Sequence, residues 1–248
     1  MANPFTLKGK TILVTGASSG IGRAIAIEVS KMGAKVVLVA RNEERLKETL
    51  ANMEGSGHQM FCVDLADEVS ITNLVSELPE LNGLVNCAGI GPHVPFKFIN
   101  KEKLDEVFAV NFFAPALMSQ KLVKSKKIAK QSSIVFIASI SGNNIAASAS
   151  SAYCSSKAAV GGLVKAMAVD LAPQGIRVNC VSPGAIRTAI FDNGQFTEED
   201  LKAEEARYPL KRLGTPEEIA YAVIYLLSDA SAWTTGTNMV VDGGFTVL

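Results

Sequence analysis

The sequence has no excess of either charge. Its 24 Lys and Arg balance 24 Asp and Glu, for a formal net charge of +0. A neutral chain has no field to collect a polyanion, so nucleic acid and anionic lipid are not expected partners. The densest basic run, KSKKIAK (124–130), reads as the solvated end of a helix. No apolar run approaches the ~20 residues needed to cross a bilayer, so no membrane partner is expected. The opening MANPFTLKGKTILVTG is too poor in apolar residues for a signal peptide and merges into a strand pattern, which makes the cytoplasm the expected location. Cysteine is scarce. Cys62, Cys87, Cys154 and Cys180 form no CxxC pair, and no His stands near them at metal spacing. They read as reduced, mostly buried thiols, and no metal is expected. Cys154, beside Tyr153, reads as small filler in a tight helix, with a reactive thiol as the alternative. Linkers, repeats and low-complexity tracts are also lacking. One domain over residues 1–248 is therefore the expectation, with two allowed by the length.

What is there is a globular composition, 48% hydrophobic and 19% charged. Apolar, β-branched runs alternate with helical patterns. The strand candidates are 11–16, 35–40, 59–64, 83–89, 133–139, 176–182 and 237–243. Between them lie helix candidates near 20–32, 42–53, 67–78, 101–126, 152–172 and 216–228, the last opening on Pro216, Glu217 and Glu218. Continuous apolar runs suit strands covered on both faces. The alternation predicts an α/β fold: a Rossmann-type, doubly wound sheet of about seven parallel strands flanked by helices on both faces. The least regular stretch, 185–213, follows a strand end and is where a substrate lid belongs.

The first strand runs into TGASSGIG (15–22). Gly16, Gly20 and Gly22 fall in the strand-to-helix turn. Missing side chains there let backbone N–H groups approach a pyrophosphate, and the helix N-terminus adds partial positive charge. Dinucleotide folds of this type usually carry a carboxylate at the end of the second strand, on the ribose hydroxyls. Here Ala40 and Arg41 occupy that place. A guanidinium without a carboxylate favours a 2′-phosphate, hence NADP in preference to NAD. The alternative is that Arg41 is solvated or pairs with Glu44.

Further along, SAYCSSKAAV places Tyr153 four residues before Lys157, on one helix face. A phenol, with a pKa of about 10, is a poor match for proton transfer near neutrality. A nearby ammonium favours phenolate and lowers that value, as does a cationic nicotinamide. Tyr153 is then expected to give a proton to a carbonyl oxygen as hydride reaches carbon, or to take one from an alcohol.

Read together, these motifs resemble the single-domain short-chain dehydrogenases/reductases over essentially the whole length. TGASSGIG resembles that family's TGxxxGxG turn, NCAG (86–89) its NxAG motif, YCSSK (153–157) its YxxxK and SPG (182–184) its Pro-Gly turn. The resemblance implies Asn111, Ser139, Tyr153 and Lys157 as the catalytic set. Ser139 would hold the substrate oxygen, Lys157 would also bind the nicotinamide ribose, and Asn111 would orient a water chain to the lysine. Ser139 stands one residue further from Tyr153 than is usual in the family, so Ser141 is the competing serine. Ser139 is preferred because it ends a strand. The resemblance also implies cofactor contacts from Gly16, Ser18, Ser19, Gly20, Ile21 and Gly22. Arg41, Asp64, Leu65, Asn86, Ala88 and Gly89 follow, then Tyr153, Lys157, Pro183, Gly184, Ile186 and Thr188. Asp64 would meet the adenine amino group, or else cap the helix from 67. Ile186 and Thr188 would hold the carboxamide.

The pattern is most similar to 3-oxoacyl-acyl-carrier-protein reductases and to hydroxysteroid and sugar-alcohol dehydrogenases. The expected substrate is a small-molecule ketone or secondary alcohol: a 3-oxoacyl thioester, a steroid or another mid-sized ketone. Gln174 stands where carrier-protein enzymes present a base, with Lys130 as a second basic position. His93 sits in a loop near the expected mouth, as a substrate contact or a solvated histidine. Phe191, Phe196 and Tyr208 suggest an apolar inner face for the lid. Helices 101–126 and 152–172 carry apolar residues on more than one face, which in such a family implies a homodimer or homotetramer. The tail GGFTVL is a candidate second interface. The competing class is a non-catalytic dinucleotide-binding sensor or scaffold, which typically lacks the tyrosine or lysine.

Overall fold

The computed structural model describes residues 3–188 and 197–248. Seven strands form one sheet: β1 (Thr11–Thr15), β2 (Lys35–Ala40), β3 (Gln59–Cys62), β4 (Leu81–Asn86), β5 (Ile128–Ile137), β6 (Arg177–Pro183) and β7 (Asn238–Val241). Their order is β3-β2-β1-β4-β5-β6-β7, and every pair is parallel. This is the expected doubly wound sheet. Chain order reverses between β1 and β4, which opens a crevice at the strand carboxyl ends.

Alternate residues of each strand feed two separate cores. Leu13, Leu84, Phe136 and Val178 pack with α3 (Glu68–Glu77), α5 (Ala114–Lys124) and α7 (Ser151–Leu171). Ile12, Val14, Val85 and Val181 pack with α1 (Gly20–Lys31), α2 (Glu43–Ala51) and α9 (Pro216–Leu227) on the other side. Two covered faces explain why the strands read as unbroken apolar runs. The caps are local. Asn42 accepts from Arg45 N, Asp67 accepts from Val69 N and Ser70 N, and Thr215 with Glu218 forms a capping box around Pro216.

Four expectations need correction. The helix read over 101–126 is broken into α4 (Lys101–Phe108), a π-turn (Ala109–Phe113) and α5. The π-turn inserts a residue into the helical ladder and carries Asn111 inward, where its side chain finds backbone partners; an apolar period does not register such an insertion. β4 ends at Asn86, so Cys87–Gly89 are irregular chain beyond the strand rather than its end. The basic run 124–130 is a helix end only in part: β5 begins at Ile128, which is buried, and the Lys127 ammonium bonds the Leu78 carbonyl. Cys62 is exposed rather than buried, its thiol donating to the Arg41 carbonyl at 3.1 Å. Within 185–213 the chain also forms α8 (Glu198–Ala206), opened by a Thr197–Asp200 capping box. Phe191 and Phe196, assigned to the lid's inner face, lie outside the described residues. The short segment α6 (Ile140–Asn143), which links β5 to the loop before α7, is a tight turn rather than a regular helix, since Ser141 (ψ 120°) and Gly142 (φ +99°) are not helical.

Candidate active site

The crevice is a cleft of about 1170 Å³. One end is the Gly-rich turn. Gly16 has φ +70°, and a Cβ there would sit 2.9 Å from Ala88 Cα. A Cβ on Gly22 would sit 2.3 Å from the Gly16 carbonyl oxygen, inside any contact distance. Both positions demand glycine, so the first turn of α1 lies close against the β1 end with Ser18, Ser19, Gly20 and Ile21 along the cleft wall. This close backbone packing brings the α1 N-terminus to the cleft, where its N–H groups fit a pyrophosphate.

Arg41, Asp64, Leu65, Ala88 and Gly89 line the same cleft, with Ala40 at the β2 end. Glu44 pairs with Lys47 at 3.0 Å, not with Arg41. Arg45 also lines the cleft, one helical turn beyond Arg41. Sequence reading missed it, although a four-residue spacing across a helix start was the available signal. Neither guanidinium makes an ion pair among the described residues. Asp64 does not cap α3, a role taken by Asp67; its Oδ1 accepts from Ala66 N at 3.0 Å. Asn86 is set back from the cleft. It is 5% exposed and donates to Ser119 Oγ at 3.2 Å, because β4 turns it into the sheet's interior.

At the other end, β5 and α7 bring Ser139, Tyr153 and Lys157 to one wall. Ser139 Oγ accepts from Ser141 N at 3.0 Å, which leaves its own proton to donate. Ser139 is buried, whereas Ser141 is half-buried, and both line the cleft with Tyr153. Gly142 (φ +99°) lets this loop touch α7, since a Cβ would lie 2.1 Å from the Cys154 carbonyl oxygen. Lys157 is 5% exposed, and its Nζ donates to the Ile137 carbonyl at 2.8 Å. Burial pulls its ammonium down to about 8.

Tyr153 and Lys157 face the cleft together, one helical turn apart on α7. Lys157 Nζ lies 5.8 Å from the Tyr153 ring centroid and spends its bond on backbone. Burial pushes the phenol above its ordinary value, opposed by the Ser139 hydrogen bond. Asn111 is held on three hydrogen bonds. Its Oδ1 accepts from Ile90 N at 2.8 Å, while Nδ2 donates to Ile90 O and Ser156 Oγ at 2.9 and 3.0 Å. That ties the chain beyond β4 to α7, with Gly89 between Asn111 Oδ1 and Lys157 Nζ. Burial drives the Cys87 thiol up to about 12, which keeps it unreactive.

Pro183, Gly184, Ile186 and Thr188 complete the wall beyond β6. Ile186 pairs with Gly214 in a parallel bridge made by its neighbours: Gly214 N donates to Ala185 O, and Arg187 N to Gly214 O. The N–H and C=O of Ile186 itself therefore point the opposite way. His93 is exposed on the cleft rim. Among the described residues, no group of His, Cys, Asp and Glu could hold a metal, and no helix is long and apolar enough to cross a membrane.

A hydroxyl, a phenol and an ammonium at one end of a cleft, with a phosphate-sized cradle at the other, are the parts of an oxidoreductase that moves hydride to or from a bound dinucleotide. Comparison with known proteins identifies which group of such enzymes it is: the chain belongs to the short-chain dehydrogenase/reductase family. Residues 16–246 match the family profile described as enoyl-(acyl carrier protein) reductase. The 3-oxoacyl-[acyl-carrier-protein] reductase of Rickettsia prowazekii is 35% identical over 98% of this chain and 99% of its own length. The L-xylulose reductase of Bos taurus is 35% identical over 96% of this chain and 97% of its own. A Beutenbergia cavernae crystal structure, assigned as an NAD(P)-dependent gluconate 5-dehydrogenase and holding NADP at low occupancy, superposes with a TM-score of 0.89. It is 33% identical and covers 99% of this chain and 100% of its own.

Proposed function

We propose that the protein is an NADP(H)-dependent enzyme that interconverts a ketone and a secondary alcohol, with Tyr153 as general acid and base. The observation that carries this reading is the convergence of Ser139, Tyr153 and Lys157 on the cleft that also holds the Gly16–Gly22 cradle and two unpaired arginines. The residues fit the cofactor. Gly16 and Gly22 let the turn pack tightly enough to bring the α1 N-terminus to the cleft for a pyrophosphate, and Arg41 with Arg45 offers donors to a 2′-phosphate. Ile186 presents one donor and one acceptor of the kind a carboxamide matches. The nicotinamide, when bound, supplies or accepts the hydride.

The chain's own residues handle the proton. Burial keeps the phenol protonated at neutral pH, the form that donates to a carbonyl oxygen becoming an alkoxide. The Ser139 proton is free to bond the same oxygen. Lys157 stays cationic below about pH 8 and lends positive charge to a wall where negative charge develops. A dinucleotide-binding scaffold needs no such groups, which argues against the non-catalytic alternative.

Beyond Tyr153 the cleft is bounded by Ile90, Pro92, His93, Ser141 and Ala147, a mixed surface suited to a mid-sized carbonyl compound. Gln174 is exposed and uncharged, which disfavours docking of an acidic carrier protein. Phe113, 52% exposed, stands with Phe108 and Phe112 in one aromatic group, and Val169 on α7 is 75% exposed. These residues support a homo-oligomer built on α4, α5 and α7, with Val247 and Leu248 as a second contact. A panel of 3-oxoacyl thioesters, ketoses and cyclic ketones with NADPH and NADH, followed by nicotinamide absorbance, tests the activity. No turnover of any ketone despite cofactor binding would return the chain to the scaffold reading.

A further inference from the structure

The chain enters the 185–213 segment beside the cleft and leaves it close by. The entry is unusually well held. Gly184 N donates to Val241 O at 3.0 Å, Gly214 N to Ala185 O at 3.1 Å and Arg187 N to Gly214 O at 2.8 Å. The fourth bond is different in kind: Ala185 N donates to the Tyr208 phenol oxygen at 2.9 Å. It is the one made by a side chain, so it is the one a substitution removes. Tyr208 is 3% exposed. Its ring packs on Phe245 at 4.9 Å between centroids, and Phe245 sits in a turn whose Gly244 and Thr246 N–H groups bond Asp242. On its inner edge the ring approaches Gly184 so closely that a Cβ there would sit 3.2 Å from Tyr208 Cε1. A ring alone would fill this space; the hydroxyl adds an acceptor for the Ala185 N–H.

We propose that Tyr208 is a positioning residue for the nicotinamide half of the cofactor, acting through the Ala185 N–H to hold the Ile186 amide toward the cleft. The inference rests on the reading of the cleft as an NADP(H) site and deepens it. Fixing Ala185 on one side and Arg187 on the other leaves Ile186 only one orientation, with its own N–H and C=O turned away from Gly214. Preorganised donors and acceptors bind without the entropy of ordering a loop. The C-terminal turn around Phe245, remote in sequence, thereby buttresses the reacting end of the site.

Tyr208→Phe keeps the ring and deletes the acceptor. The dissociation constant of NADPH should rise roughly five- to tenfold, the value of one hydrogen bond. That of adenosine 2′,5′-bisphosphate, which occupies only the Arg41 end, should not change. Exchange of the Ala185 amide should quicken in the variant, and in wild type that amide should be protected. Equal weakening of both ligands, or no weakening of NADPH, makes Tyr208 a packing residue and overturns the proposal. So does an unprotected Ala185 amide in the wild-type protein, a result that stands even if the variant does not fold. Wild-type protein that binds neither ligand fails the functional reading itself, a pattern distinct from any of these.

Discussion

Replacing Lys157 by Met should stabilise the protein while destroying its activity. The ammonium is 5% exposed, has one backbone acceptor and is pulled from 10.5 down to about 8 by desolvation. That displacement corresponds to about 3 kcal/mol of penalty on the native state wherever the group must be charged in both states. Methionine fills similar volume without charge. It forfeits the bond to Ile137 O, which costs about 1 kcal/mol. The variant should therefore gain roughly 1–2 kcal/mol at pH 7. The pH dependence has a definite sign. The folded-state pKa lies below the unfolded one, so the penalty is complete below about pH 8. Above that the native state sheds its proton before the unfolded chain does, and wild-type stability rises by about 1.4 kcal/mol per pH unit until the unfolded lysine titrates. The advantage of the variant should accordingly shrink from pH 7 to pH 9. Guanidinium unfolding of both proteins at equal protomer concentration measures it. A variant destabilised at pH 7, or a difference independent of pH, would refute the claim that Lys157 is held charged against its surroundings.

The remaining predictions concern the other parts of the cleft. Tyr153→Phe should abolish ketone reduction and leave NADPH affinity within about twofold, since the ring stays and only the proton is lost; a residue of more than a few per cent of turnover would move the acid to Ser139 or Ser141. Arg41→Ala and Arg45→Ala should each weaken NADPH by roughly 1.5–3 kcal/mol while leaving NADH nearly unchanged, as titration calorimetry would show. Gly22→Ala forces a Cβ to 2.3 Å from the Gly16 carbonyl oxygen, so the melting temperature should fall by roughly 6–12 °C and cofactor binding should vanish. Phe113→Glu places a carboxylate in the exposed aromatic group and should shift the oligomer to smaller species in light scattering, without altering the far-ultraviolet spectrum.

Much of this molecule is determined by features that are local along the chain. Strand runs apolar on both sides, separated by helical patterns, point to a parallel sheet because parallel strands need crossovers, and the Gly-rich turn after the first strand points to the doubly wound form. The Gly16–Gly22 turn and the Tyr153–Lys157 spacing are legible for the same reason: each is a chemical requirement met within one or two turns of backbone. Tertiary structure decided what depends on distant neighbours. Whether Arg41 pairs with Glu44 hinged on where Lys47 reached, and Arg45 joined the cleft only when α2 was set against β2. Asn86 went to Ser119, and Asn111 was turned toward Ile90 by a π-turn that leaves no mark in hydrophobic periodicity. The Tyr208 bond to Ala185 spans 23 residues and depends on a C-terminal turn for its footing. Lys157 is the sharpest case. Its spacing from Tyr153 is written in the chain, but its charge state is set by burial and by the Ile137 carbonyl, and desolvation is a property of the packed whole.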